Sequence, residues 1–129
     1  MVDVIDLRPP QLNLELYAGD GTTFRITVTD VDDNPVDLIG TIKAQIRANR
    51  LPHIPTPDVN PVLADFDVDL TDAATGIVRL SLTGVQTQAL VTTDKKFVGV
   101  WDCEWDPTGE QPRTICQGKV ECLADVTRP

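Results

Sequence analysis

Basic residues are scarce in this chain, and aromatic ones scarcer. Against 20 Asp and Glu stand 11 Lys and Arg, giving a formal charge of −9. A surface of that sign repels phosphate backbones and anionic headgroups, so neither nucleic acid nor a membrane surface is an expected partner. No apolar run approaches the ~20 residues needed to span a bilayer. Residues 1–10 lack the basic head and apolar core of a secretory leader, so no cleaved export signal is expected. Histidine occurs once, at His53, and no Cys-x-x-Cys pair exists, which removes the usual zinc ligand sets. That histidine has no nucleophile signature nearby and no Gly-x-Ser-x-Gly elbow occurs. The glycine-bearing turn at 18–21 carries Asp20 where a phosphate would sit. We therefore assign no catalytic residue, no cofactor and no metal, and expect neither an enzyme nor a small-molecule binder.

What the chain does have is alternation. In residues 62–70, Val62, Ala64, Phe66, Val68 and Leu70 fall on one side, and Leu63, Asp65, Asp67 and Asp69 on the other. Successive strand side chains project to opposite faces, so this reads as a strand with one dry face and one acidic, wet face. Six further stretches behave alike. They lie at 12–17, 22–30 (Phe24, Ile26 and Val28 inward), 41–48 (Ile42, Ala44, Ile46 and Ala48), 76–82, 96–106 and 114–125. The first two form either a hairpin or successive strands that cross between sheets. Residues 83–90 break the period of two and suit one helical turn capped by Thr83, with Val85, Ala89 and Leu90 as its apolar residues.

About seven mostly antiparallel strands with turn signals at this spacing predict an all-β, immunoglobulin-like β-sandwich with one short helical turn. The Cys and Trp spacing of antibody domains is missing. At 129 residues a single domain is expected, running over 12–129 behind an extended N-terminal arm at 1–11 that ends in Arg8-Pro9-Pro10. Trp101, Cys103 and Trp105 share one strand face, and Cys116 and Cys122 share another with Val120. All five read as core residues, and the thiols as reduced, with a Cys103 bridge to Cys116 or Cys122 as the alternative if the last two strands pair.

Several acidic groups stand at spacings that could carry chemistry. Asp30, Asp32 and Asn34 stand two apart, as at the start of a calcium loop. Pro35 occupies the position such a loop gives to glycine, however, and Thr41 stands where a bidentate Glu belongs. An Asx-rich turn is the simpler reading. The rows Asp65, Asp67, Asp69 and Asp102, Glu104, Asp106 read as solvated strand faces rather than a carboxylate pair for sugar hydrolysis. Together they would make an acidic face for a basic partner. Candidate partner contacts are the arm through Val2, Val4 and Ile5, the acidic turn through Asp30, Asp32 and Asp33, and the proline-rich loop at 49–61 through His53 and Ile54.

The order of motifs carries a resemblance. Leu14-Glu15-Leu16-Tyr17-Ala18-Gly19-Asp20 leads into a strand, and Asn34-Pro35-Val36-Asp37-Leu38-Ile39-Gly40 leads into the strand holding Ile42. Then come Gly76-Ile77-Val78-Arg79-Leu80-Ser81-Leu82-Thr83 and Gly118-Lys119-Val120, ending in Asp125-Val126-Thr127-Arg128. Over about residues 12–128 this order resembles the small immunoglobulin-like domains of tailed-phage virion proteins, of the kind found in minor tail proteins and at the N-terminus of baseplate upper proteins. The resemblance implies a structural virion protein assembled in the host bacterial cytoplasm, present in many copies and contacting other phage structural proteins. A minor tail or baseplate component is the first expectation, with capsid decoration or a head-to-tail connector as the second. A carbohydrate-binding module is the reading from another class, and the 5% aromatic content leaves it few rings to stack on sugars.

Overall fold

The computed structural model describes residues 10–49, 61–92, 96–108 and 111–124. Eight strands and one helix follow in order: β1 (Leu14–Tyr17), β2 (Thr22–Thr27), β3 (Gly40–Arg47), β4 (Ala64–Asp65), β5 (Asp67–Asp69), β6 (Ile77–Leu82), α1 (Gly84–Leu90), β7 (Phe97–Pro107) and β8 (Arg113–Leu123). They form a five-stranded sheet, β1-β8-β7-β3-β4, packed on a three-stranded sheet, β2-β6-β5. Every neighbouring pair is antiparallel except β1 with β8, where Leu14 through Tyr17 run parallel to Val120 through Leu123. Two layers joined by crossings between successive strands make the immunoglobulin-like β-sandwich that the alternation predicts.

β1 and β2 do not form a hairpin. A turn closed by Asp20 N–H donating to the Tyr17 carbonyl at 3.0 Å carries the chain from one sheet to the other. Gly19, at φ 89°, makes the reversal possible in that turn.

The segment at 62–70 corrects the single strand expected there. Ala64 of β4 pairs with Ile46 of β3, whereas Val68 of β5 pairs with Leu80 of β6 in the opposite sheet. The chain changes sheets at Phe66, whose N–H still donates to the Ala44 carbonyl at 2.9 Å while its ring lies in the core. Both sheets turn one face inward, so a strand that switches sheets keeps the same in-and-out alternation as one that stays. The outer ends of the expected strands are also trimmed. Leu70 and Ala48, expected inside, are exposed.

α1 is longer than one turn and carries a capping box. Thr83 Oγ1 accepts from Gln86 N–H at 3.1 Å, and Gln86 Oε1 accepts from Thr83 N–H at 2.8 Å. Thr87 and Leu90, three apart, form its buried stripe. Of the apolar residues named for this turn, Leu90 is buried, whereas Val85, 81% exposed, and Ala89 face outward.

The two sheets meet on an aromatic cluster. Phe24 of β2 lies edge-on to Trp101 of β7 with ring centroids 5.6 Å apart, and edge-on to Phe66 at 5.7 Å. Trp101 Nε1 donates to the Leu12 carbonyl at 2.7 Å, so one side chain joins both sheets and the segment leading into β1. That carbonyl fits because residue 118 is glycine: a Cβ there would stand 2.0 Å from the Leu12 oxygen. The seam continues with Leu12 N–H donating to Gln117 O at 2.8 Å, Gln117 N–H donating to Pro10 O at 3.1 Å, and Asn13 Oδ1 accepting from Lys119 N–H at 3.0 Å. The pairing with β8 thus starts at Pro10 and Gln11, inside the segment expected as an arm.

Thr87 fixes the other end of the sandwich. Fully buried, its Oγ1 accepts from Gly19 N–H at 3.0 Å and donates to the Asp20 carbonyl at 2.9 Å, tying α1 to the turn between β1 and β2. We expect Thr87→Val, which keeps the shape and removes the hydroxyl, to cost about 1–3 kcal/mol through the loss of its buried bonds to Gly19 N–H and the Asp20 carbonyl. Urea unfolding measures it, and a loss under about 0.5 kcal/mol would contradict this role. Trp101→Phe should cost a similar ~1–3 kcal/mol through the Leu12 carbonyl, with Gly118→Ala as a second probe of the same seam.

Candidate functional site

The acidic turn, the one described group of candidate contacts, lies at the end of the sandwich where β2 leaves and β3 enters. Val28 N–H donates to the Gly76 carbonyl at 2.8 Å, Leu38 N–H donates to the Ala73 carbonyl at 3.0 Å, and Gly40 pairs with Pro107. The connections at 28–39 and 70–76 therefore share one pole with the end of β7 at Pro107.

The acidic turn is built on the Asp30 carboxylate. Its Oδ1 accepts from Asp32 N–H at 2.9 Å and from Asn34 N–H at 3.0 Å, while Asp33 N–H donates to the Asp30 carbonyl at 3.0 Å. Asp33 sits at φ 62°, in the left-handed region that Asp tolerates better than most residues. The carboxylate nearest the centre of the turn thus satisfies backbone donors, as an Asx turn requires. Among the described residues no three His, Cys, Asp or Glu side chains are grouped as a metal site. Asp30, Asp32 and Asp33 are exposed beside Val31, which is 64% exposed. Val2, Val4, Ile5, His53 and Ile54 lie outside the described residues.

The two acidic rows do not make one face. Because the chain changes sheets at Phe66, Asp65 stands on the outside of the five-stranded sheet while Asp67 and Asp69 stand on the outside of the three-stranded one. Asp65 Oδ1 accepts from Gln45 Nε2 at 2.8 Å, beside the β7 row of Asp102, Glu104 and Asp106. Asp69 accepts from Thr71 N–H at 2.9 Å and Thr71 Oγ1 at 2.6 Å, and these bonds hold its carboxyl below the usual range. With a core ~10 Å thick between them, Asp67 and Asp69 cannot converge with the β7 acids on one glycosidic bond. On the five-stranded side the acids alternate with cations: Lys43 lies opposite Glu104, and Lys96 Nζ is 3.7 Å from Glu121.

Few rings are left for a sugar. Trp101 and Trp105 are 2% and 8% exposed, and Trp105 Nε1 donates to the Ile39 carbonyl at 3.0 Å. Tyr17 stands outside, its hydroxyl donating to Glu15 at 2.9 Å, which pushes the phenol up. A shallow depression of about 240 Å³ lies between β1 and β8, lined by Asn13, Leu14, Glu15, Lys119 and Glu121. Its charges are mixed, and its size is below that of most small-molecule sites.

Sequence reasoning missed Thr87, Gly118 and the Leu12 carbonyl. Thr83 with Gln86 three residues later is a legible capping box. Nothing in a linear pattern marks which threonine hydroxyl meets a turn 67 residues away.

No family model and no curated protein matches the chain. Two solved structures similar to it are the ZIG-8–RIG-5 IG1–IG1 heterodimer and the extracellular domain of the voltage-gated sodium channel beta4 subunit. The first is 11% identical, with a TM-score of 0.41, over 89% of this chain and 84% of that one. The second is 9% identical, with a TM-score of 0.44, over 98% of this chain and 100% of that one, from parallel homodimer structures described as explaining its role in cell-cell adhesion. At these scores the immunoglobulin-like assignment is carried by the sheet order itself.

The cysteines are buried, as the strand pattern predicts, and free. Cys103 and Cys116 stand opposite each other on β7 and β8, and the Cys122 thiol donates to the Thr87 carbonyl at 3.5 Å. Burial pushes the Cys103 thiol up to about 12 and raises Cys116 and Cys122 as well, so all three are protonated at neutral pH. Iodoacetamide at pH 8 should leave them unmodified in the folded protein and alkylate all three in 6 M guanidinium. Intact-mass spectrometry reads this, and rapid alkylation of the native chain would refute it.

Proposed function

We propose that the protein is a structural component of a tailed-bacteriophage virion, a minor tail or baseplate-associated protein that works by protein–protein assembly and not by catalysis. The order of strand and turn motifs supports this reading, together with the sandwich that those motifs form. The observation that carries it is how the chemistry-bearing groups are placed. Both tryptophans and all three thiols lie in the core, Asp30 holds its own turn, and the strand acids point outward on opposite faces. What this arrangement offers a partner is exterior surface and open strand edges. Its partners are other phage structural proteins in a symmetric, many-copy assembly, and its location is the virion, assembled in the host cytoplasm. The same placement of the tryptophans takes away the platform that a carbohydrate-binding module would need.

Immunogold electron microscopy on particles produced by the host strain that encodes this chain tests the reading. Label at the tail or tail tip is the expected result. Label over the capsid would move the protein to a decoration or connector role, and particles free of label would overturn the virion assignment.

A further inference from the structure

Cys103 of β7 and Cys116 of β8 stand directly opposite each other, both buried and both free. The two strands that carry them are the longest in the sheet, with 11 residues each. Gln117 turns both its N–H and its carbonyl to the β1 side, where Pro10 and Leu12 meet them. Its neighbour Cys116 therefore turns its own towards β7, which sets Cys103 and Cys116 at a hydrogen-bonded position of the ladder. Cα atoms at such a position stand about 5.5 Å apart, inside the roughly 4.4–6.8 Å that a disulfide bridges. Their Cβ atoms are further apart than at a non-hydrogen-bonded position, so the bond is reachable and strained. Directly beyond the pair the ladder slips by one residue, with Glu104 facing Thr114 and Ile115 left over.

Cys122 has no such partner. It lies six residues beyond Cys116 on the same strand, about 20 Å away at ~3.3 Å per residue, and it faces Phe97. Cys103, level with Cys116, is equally distant from it. The Cys122 thiol is engaged by the Thr87 carbonyl instead. Of the three pairings that three cysteines allow, the folded strands permit one.

The attacking species in disulfide exchange is the thiolate, and burial keeps these thiols protonated. Exchange therefore takes place while the chain is folding, and the closed sandwich retains the state in which it folded. We infer that Cys103 and Cys116 are a redox pair, a dithiol when the chain folds in reducing surroundings and a cross-strand disulfide when it folds with a small-molecule disulfide such as oxidised glutathione. One cysteine thiolate attacks the glutathione disulfide and releases the first glutathione; the second attacks the mixed disulfide and releases the other. Two cysteine sulfurs are oxidised, one glutathione disulfide is reduced to two thiols, and the cysteine protons end on those thiols. The bond clamps β7 to β8 within one sheet. It depends on where the chain folds and is independent of the virion reading.

Refolding the full chain from guanidinium in a series of reduced-to-oxidised glutathione ratios tests this, with acid quenching, alkylation under denaturing conditions and peptide mapping by mass spectrometry. At the reduced end all three cysteines should be alkylated. At the oxidised end the refolded chain, with the circular dichroism of the reduced form, should hold one Cys103–Cys116 bridge and leave Cys122 outside it. The same oxidant acting on the chain kept in guanidinium should favour Cys116–Cys122, the pairing that closes the shortest loop. Cys122→Ala should close as fully as the wild type, and Cys103→Ala should form no bridge on refolding. A refolded wild type without a disulfide at every ratio, or with a bridge through Cys122, would overturn the inference. If Cys103→Ala does not fold, the mapped wild type and Cys122→Ala decide.

Discussion

One tryptophan holds three parts of this molecule in register. The ring of Trp101 meets Phe24 from the facing sheet, and its indole N–H fixes the backbone at Leu12 against β8. In antibody domains a disulfide between the second and sixth strands joins the sheets against a buried tryptophan. Here an edge-to-face aromatic contact between β2 and β7 joins them, and such contacts add ~0.5–1.5 kcal/mol beyond the area they bury. The sandwich can therefore close with its cysteines reduced. The hydrogen bond also explains the glycine at 118, since the carbonyl can reach the indole only where no Cβ intervenes.

Much of this was legible in the chain. Alternation located the apolar face of each main strand, placed Trp101, Cys103 and Trp105 inside, and distinguished the helix from its neighbours at Thr83. The sheet change at Phe66 was not legible, because the period of two is identical on either side of the crossing. Nor was the outward turn of Val85, which depends on which helical face Thr87 and Leu90 bury. The parallel course of β1 beside β8 joins residues more than 100 positions apart, and hydropathy carries no sign of strand direction. As for contact groups, the sequence singled out the acidic turn at Asp30, and the structure gives that carboxylate a local task.

The two acidic rows show how topology redistributes a linear pattern. Asp65, Asp67 and Asp69 are consecutive outward residues of one alternating run, yet a single crossing sends the first to one exterior and the others to the opposite one. A face that looked strongly acidic in sequence becomes, on the five-stranded side, acids interleaved with Lys43 and Lys96. Charge read along a chain needs its sheet assignment before it says anything about a partner.

The parallel pairing of β1 with β8 also sets how the fold answers a mechanical load. Because β1 and β8, the first and last of the described strands, run the same way, the described chain enters β1 and leaves β8 at opposite ends of the sandwich. Tension between those ends slides the strands along each other and strains their rungs together, instead of peeling them open singly. A fold clasped in this manner resists stretching through its unfolding rate, whatever its equilibrium stability.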